Sequence, residues 1–277
     1  MQNVILPPQS VCLEWDLDKL WDGVVVYHQL GQPDLTIIET LKKQRNRVAL
    51  LHMGDEYGEH ARDEAYQAAD LILRNYYFRE IFEAPEFAGK LIWVPNGYKY
   101  GVGPREPSSL RLASERRFVS SFIGWIDNAR SYGNERQLFK DIAAHCGSNL
   151  LMHATPSFAN GFNSGLYSAI MEYSVFCACP AGNSPETIRL YDALEVGCVP
   201  VSRPHAFLFS EQALGGVPFP VLEDWKQLPD FLEQFRQRFV DSREEALQLQ
   251  QASLNWWTGL KQGLRDKIRH RLFELAR

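Results

Sequence analysis

The stretch Ser174–Val201 reads SVFCACPAGNSPETIRLYDALEVGCVPV, and its order of elements decides the fold. Val175–Cys179 has the composition of a buried strand. Cys179-Pro180-Ala181-Gly182-Asn183-Ser184 reads as a turn, and Glu186–Leu194 has the apolar spacing of a helix. Cys198–Ser202 is strand-like again. Strand, glycine turn, helix and second strand make a βαβ unit, which implies a parallel sheet.

The same alternation extends outward on both sides. Upstream, Phe118–Ile123 and Leu150–Ala154 read as strands, with Asn134–His145 and Tyr167–Tyr173 as helices. Downstream, Leu228–Phe239 and Arg243–Leu275 read as helices. The segment Tyr98–Glu115, rich in glycine, proline and serine, reads as a linker. Before it, Val24–Gln29, Arg47–Met53, Leu71–Arg74 and Leu91–Val94 are strand-like, with helical patterns over Leu35–Asn46 and Glu59–Leu73. The prediction is an α/β protein of two doubly wound, Rossmann-like lobes, residues 1–115 and 116–240. Residues 241–277 are expected to pack back as helices towards the first lobe. Ligands of such sheets lie beyond the carboxyl ends of the strands, here expected in a cleft where two lobes face each other.

Composition narrows the function classes. The chain has 277 residues, 45% of them hydrophobic, and a formal net charge of -5. That composition argues against disorder, and the acidic balance argues against a nucleic-acid coat. No apolar run approaches the roughly 20 residues of a membrane span. Met1–Asp16 lacks a basic start followed by a long apolar run, so no secretory signal is read there. Cys12, Cys146, Cys177, Cys179 and Cys198 are an odd number without framework spacing. Free thiols and a reducing, cytoplasmic setting are expected. Cys177 and Cys179 alternate along one strand and face opposite ways, which disfavours a shared metal.

Three constellations carry candidate chemistry. In the loop Gly182-Asn183-Ser184-Pro185-Glu186-Thr187, Ser184 reads as a helix N-cap with Pro185 at the first helical position. The free N–H groups and helix dipole there favour a phosphate. Arg189 adds a forked donor, and Asp192, on the same helix face, suits two ribose hydroxyls. The alternative is an ordinary strand–loop–helix with a salt-bridged surface. His52-Met53-Gly54-Asp55-Glu56 ends a first-lobe strand. Asp55, or else Glu56, suits a general base acting on an acceptor hydroxyl, unless one of them only caps the next helix. A metal reading of His52, Asp55 and His60 is disfavoured because the H-E-x-x-H pattern is missing. In the third constellation, Gly124 ends a strand and Arg130 and Arg136 follow, either within reach of a diphosphate, although a solvated surface role is the simpler reading for Arg130. His153 is either a core histidine or a phosphate donor.

Tyr173–Gly182 resembles the exostosin-family motif "S-x-F-C-L-x-P-x-G". Arg189–Ala193 is similar to that family's "R-L-x-E-A" helix, and Gly197–Val201 to its "G-C-I-P-V" strand. Pro218-Phe219 and Asp224-Trp225 resemble the later "P-F" and "D-W" pieces, and Phe122-x-Gly124 followed by Arg136 resembles "F-x-G … R". These motifs cover about half the chain. His52–Glu56 and Arg74-Asn75-Tyr76 are similar to the ribitol-xylosyltransferase branch. One departure is Asp192, where the family usually has the longer glutamate.

The resemblance implies a GT-B glycosyltransferase, inverting and metal-independent, with no cofactor beyond the donor substrate. A nucleotide-sugar donor, UDP-linked, would sit in the second lobe on Gly124, Arg130, Arg136, His153, the 182–187 loop, Arg189 and Asp192. A glycan acceptor would meet His52, Arg74, Asn75 and Tyr76 in the first, with Asp55 as the base and Glu56 in reserve, and xylose as the sugar. Two other readings stand beside it, a non-catalytic nucleotide- or glycan-binding protein and a nucleotide-sugar epimerase of the same architecture.

Overall fold

The structure is a computed structural model that describes residues 23–60, 64–157, 160–241 and 243–277. Cys12 and Met1–Asp16 lie outside the described residues, as do residues 61–63 of the helix expected over Glu59–Leu73. The chain divides into two compact units. One comprises Met1–Asn96, Ser210–Gly215 and Gly259–Arg277, the other Gly97–Phe209 and Gly216–Thr258.

The first unit is built on strands β1 (Val24–Gln29), β2 (Arg47–His52), β3 (Leu71–Arg74) and β4 (Leu91–Trp93), all parallel and in the order β1-β2-β3-β4. Its helices are α1 (Leu35–Lys43), α2 (Glu64–Ala68) and α3 (Arg79–Phe82). The unbroken apolar runs of β2 and β3 follow from cover on both faces of the sheet. On one face Ala49, Leu71, Leu73, Ile92 and Val94 pack with Ile268 of the terminal helix, and Leu272 and Leu275 lie alongside. On the other, Val48 packs with Ile38 and Leu41 of α1 and Ala65 of α2. Helix α1 starts where Asp34 accepts a hydrogen bond from the Thr36 N–H at 2.9 Å, and Lys42 and Lys43 complement its C-terminal dipole.

The helix expected over Glu59–Leu73 is shorter, and Leu71 to Arg74 belong to the sheet. The Asp70 carboxylate accepts from the Val48 N–H at 2.8 Å, which fastens the start of β3 beside β2. Pairing of Leu71, Ile72 and Leu73 with β2 then outweighs their helical spacing.

The second unit holds β5 (Phe118–Trp125), β6 (Leu150–Thr155), β7 (Ser174–Ala178) and β8 (Val199–Val201), again all parallel, in the order β6-β5-β7-β8. Its helices are α4 (Glu135–Ala143), α5 (Ser164–Glu172), α6 (Ile188–Glu195), α7 (Ala206–Phe209) and α8 (Leu228–Asp241). The final helix, α9 (Arg243–Leu275), contributes residues to both units. An aromatic core joins Phe122 to Phe139 at 4.9 Å, Phe139 to Trp225 at 5.1 Å and Phe176 to Phe235 at 4.5 Å between ring centres.

The two sheets differ in one respect that matters for ligands. In the first unit the chain adds strands in one direction only. In the second it steps from β5 to β6 on one side, then crosses to β7 on the other. The strand order therefore reverses between β5 and β7. A crevice opens at such a switch point because the flanking connections leave on opposite faces.

The four described cysteines, Cys146, Cys177, Cys179 and Cys198, are buried free thiols. Burial pushes the Cys146 thiol up to about 11 and raises Cys179 and Cys198 as well, so these three are not poised as thiolates. Among the described residues no helix is long and apolar enough to cross a membrane.

Candidate functional site at the switch point

The carboxyl ends of β5 and β7 bring together Gly124, the loop from Cys179 to Thr187, and the first turn of α6. The loop is drawn tight by its own backbone. The Gly182 N–H donates to Ser184 O at 3.0 Å, and the Thr187 N–H to Pro185 O at 2.9 Å. Ser184 Oγ accepts from the Glu186 N–H at 3.2 Å. Helix α6 begins at Ile188 with Thr187 at its N-cap. This corrects the expected start: Ser184 and Pro185 form a turn ahead of the helix, because the serine hydroxyl bonds two residues on instead of capping. Glu186 is held inside by a hydrogen bond from Tyr191 Oη at 2.9 Å. Asn183 Oδ1 accepts from Asn128 Nδ2 at 2.8 Å.

Two arginines reach this loop, in different ways. Arg136, in the first turn of α4, donates from Nε to Ala181 O at 3.2 Å and from Nη1 to Trp125 O. It ties the segment after β7 to the end of β5. Arg189 lies over the Phe122 ring, its guanidinium carbon 4.3 Å from the ring centre, and its Nη2 donates to Ile123 O at 2.9 Å. Gly124 makes that position available, since a Cβ there would collide with Nη2. The rest of the guanidinium is unsatisfied: Nε and Nη1 are buried and meet no acceptor. The whole residue is only 7% exposed.

Comparison with another buried arginine shows how unusual this is. Arg116 donates to the carbonyls of Arg111, Met171, Ser174 and Val196. A buried charged donor without a partner costs more than the 1–3 kcal/mol typical of a neutral one.

Asp192 lies one turn further along α6. It is 1% exposed. Its Oδ1 accepts from the Lys99 N–H at 2.6 Å and its Oδ2 from Tyr167 Oη at 3.0 Å. Both oxygens of the residue expected at the ribose are thus engaged within the unit. Burial raises its pKa to about 6, against the pull of the Lys99 N–H, Tyr167 and Arg189. A raised folded-state pKa favours the protonated form, so the associated stability is complete below about pH 4 and is lost as pH rises through about 6. Relative to Asp192→Asn, the wild-type protein should lose about 2 kcal/mol between pH 4 and pH 7. Paired urea-unfolding curves across that range measure it, and parallel pH dependences would contradict it.

The remaining donor candidates separate. Arg130 is exposed, as its surface reading had it, and only its backbone N–H is held, by Asn128 Oδ1 at 3.1 Å. His153 is exposed on the edge strand β6 and stacks on Phe162 with ring centres 4.3 Å apart. It is not a core histidine.

In the first unit His52, Asp55, Arg74, Asn75 and Tyr76 form one buried network, and Glu56 is half-buried. Arg74, fully buried, donates from Nη1 to Asp55 Oδ2 at 3.0 Å and to Tyr66 Oη at 2.9 Å, and from Nη2 to Asp55 O at 3.1 Å. Tyr66 Oη in turn meets His52 Nδ1 at 2.6 Å, and His52 Nε2 meets Gly31 O at 2.9 Å. These partners make Nε2 the protonated nitrogen of a neutral ring. Burial, with Arg74 alongside, lowers the His52 pKa to about 4. The Asp55 carboxylate also accepts from the N–H groups of Glu59 and His60 at 2.9 and 3.2 Å. Burial alone would raise its pKa, but Arg74 and these N–H groups outweigh it and hold it below the ordinary value. Asn75 accepts from the Gly54 N–H at 3.1 Å and donates to Asn96. Tyr76 is buried beside it with a left-handed backbone, φ 54°. The network pins the segment after β2, Gly54 to His60, so Asp55 does more than cap a helix.

Sequence reasoning missed Glu135, His205, Tyr167 and Lys99. Glu135 immediately precedes Arg136, and Trp225, which contacts it, belongs to the "D-W" motif. That pairing was the available signal for Glu135.

Two all-parallel sheets, the second with a reversal of strand order between β5 and β7, define a Rossmann-like α/β protein. Residues 101–274 match the family described as "RXYLT1 C-terminal domain", and the chain belongs to that family. Curated relatives include ribitol-5-phosphate xylosyltransferase 1 of Danio rerio, 28% identical over 174 residues, or 58% of this chain and 39% of that protein. The protein of the same name from Mus musculus is 25% identical over 183 residues, 59% of this chain and 39% of its own. That from Homo sapiens is 25% identical over 182 residues, with the same coverages of 59% and 39%. The chain thus matches about two-fifths of the length of these relatives. The family match contains Gly124, Arg136, the 182–187 loop, Arg189 and Asp192, and excludes His52–Tyr76.

Proposed function

We propose that the chain is a glycosyltransferase that moves a sugar from a UDP-linked donor to a hydroxyl of a glycan acceptor. In this reading transfer inverts the anomeric carbon and needs no metal, and the sugar is xylose. The observation that carries it is Arg189, whose Nε and Nη1 are buried without an acceptor at the β5/β7 switch point. A departing nucleoside diphosphate gathers negative charge, and pre-placed donors at that position stabilise it without reorganisation. The Gly182–Thr187 loop borders the same place, with Arg136 holding it in shape. Xylose is supported by the relatives, which are named as ribitol-5-phosphate xylosyltransferases.

The finer assignments follow the exostosin-like resemblance. The second unit acts as the donor lobe and the first as the acceptor lobe of a GT-B enzyme. Asp55 is a weak base beside Arg74, so Glu56 is the better candidate to take the acceptor proton while the Asp55–Arg74 network holds the segment. The bond from the anomeric carbon to the diphosphate oxygen breaks with its electron pair. The acceptor oxygen bonds to that carbon, and its proton passes to Glu56.

Thermal unfolding in the presence of UDP-, GDP- and CMP-sugars tests this directly, because a ligand that binds the folded state raises the midpoint. UDP-xylose and UDP should raise it, with GDP- and CMP-sugars doing little. No shift with any nucleotide sugar would refute the donor site. Product analysis with UDP-xylose alone, then with an acceptor, separates transfer from epimerisation and from binding without turnover.

A further inference from the structure

Beside the arginines, the strand ends of the second unit hold a carboxylate and an imidazole that no step above uses. His205 follows β8 in the segment Ser202-Arg203-Pro204-His205. Its side chain is 8% exposed, and its Nε2 lies 3.2 Å from Glu135 Oε2, whose side chain is 2% exposed. Nε2 is buried and makes no aligned hydrogen bond. Glu135 Oε1 accepts from Trp225 Nε1 at 2.9 Å, which fixes the carboxylate from its far side. The imidazole is also gripped by its rings: Tyr132 meets it edge-on at 6.1 Å and Phe207 lies nearly parallel at 6.3 Å.

This pair borders the loop already described. Glu135 precedes Arg136, whose guanidinium bonds Ala181 O. Tyr132, which packs on His205, donates its backbone N–H to Gly182 O at 2.7 Å. Among the neighbouring cations, Arg136 donates to Ala181 O and Trp125 O, and Arg203 to Glu223 O at 3.1 Å.

We infer that His205, oriented by Glu135, is a diphosphate contact of the donor site. This rests on the donor reading above. In the transfer step the electron pair of the broken glycosyl bond goes to the diphosphate oxygen. The His205 N–H donates a hydrogen bond to that diphosphate, and the proton remains on the imidazole. Glu135 is a positioning residue. It lies 3.2 Å from Nε2 and holds the ring in place.

The test compares UDP with UMP, which lacks the second phosphate, by calorimetry on wild type, His205→Ala, His205→Gln and Glu135→Gln. His205→Ala should weaken UDP about 10-fold while leaving UMP nearly unchanged. His205→Gln, with a neutral donor, should recover part of that loss. Glu135→Gln should lie between wild type and His205→Ala. If the alanine variant does not fold, the glutamine variant decides by the same UDP-to-UMP ratio. An unchanged ratio in folded variants, or equal weakening of both nucleotides, overturns the His205 assignment and leaves the donor site standing. Wild-type protein that binds neither nucleotide overturns the donor site and the His205 contact together.

Discussion

Arg189→Met should lose at least about 100-fold in UDP affinity while the ligand-free protein unfolds at the same temperature or higher. The two halves of that result are linked by the same geometry. The guanidinium has one protein hydrogen bond, to Ile123 O, and a ring beneath it, with Nε and Nη1 unsatisfied. Methionine preserves the packing over Phe122 and removes a buried charge with unsatisfied donors, a replacement that is commonly neutral or stabilising. An arginine present for stability would behave oppositely, as Arg116 should with its four carbonyl partners. Calorimetry with UDP and a thermal melt on the same sample check both halves. A variant that melts well below wild type yet binds UDP normally would make Arg189 a structural residue.

Asp55→Ala should cost about 3–5 kcal/mol of stability, because it leaves Arg74 charged and fully buried without its partner. The loss should appear as faster amide exchange in β2, β3 and the segment from Gly54 to His60, with exchange in β5 and β7 unchanged. UDP affinity should stay at the wild-type value, since Asp55 and Arg189 belong to different units. Pairing Asp55→Ala with Arg74→Met should restore part of the loss, because the second change removes the orphaned charge. If Asp55→Ala is as stable as wild type and transfer alone disappears, Asp55 rather than Glu56 is the base.

The two predictions treat differently residues that resemble each other in the sequence. Asp55 and Asp192 both follow the pattern of a carboxylate near a strand end or a helix start, and both were expected to meet ligands. Each is turned inward. Asp55 answers Arg74, and Asp192 answers the Lys99 N–H and the Tyr167 hydroxyl. No local pattern distinguishes a carboxylate that faces a substrate from one that satisfies a distant donor. Lys99 lies 93 positions from Asp192 in the chain, and only the fold places it there.

What the sequence determines by itself is the succession of parallel strands and the helices between them, through periodicity and glycine turns that act over a few residues. The Ser174–Val201 stretch also places Arg189 one turn into a helix behind a glycine-bearing loop. The tertiary structure decides which of the polar groups remain unsatisfied. The crossing from β6 to β7 sets the switch point beside β5, Gly124 lets the guanidinium lie against that strand end, and Glu135 meets His205 across 70 positions of chain. Satisfaction of a buried donor depends on partners that are remote in sequence, so the residues left open to a ligand emerge only when the whole unit has packed.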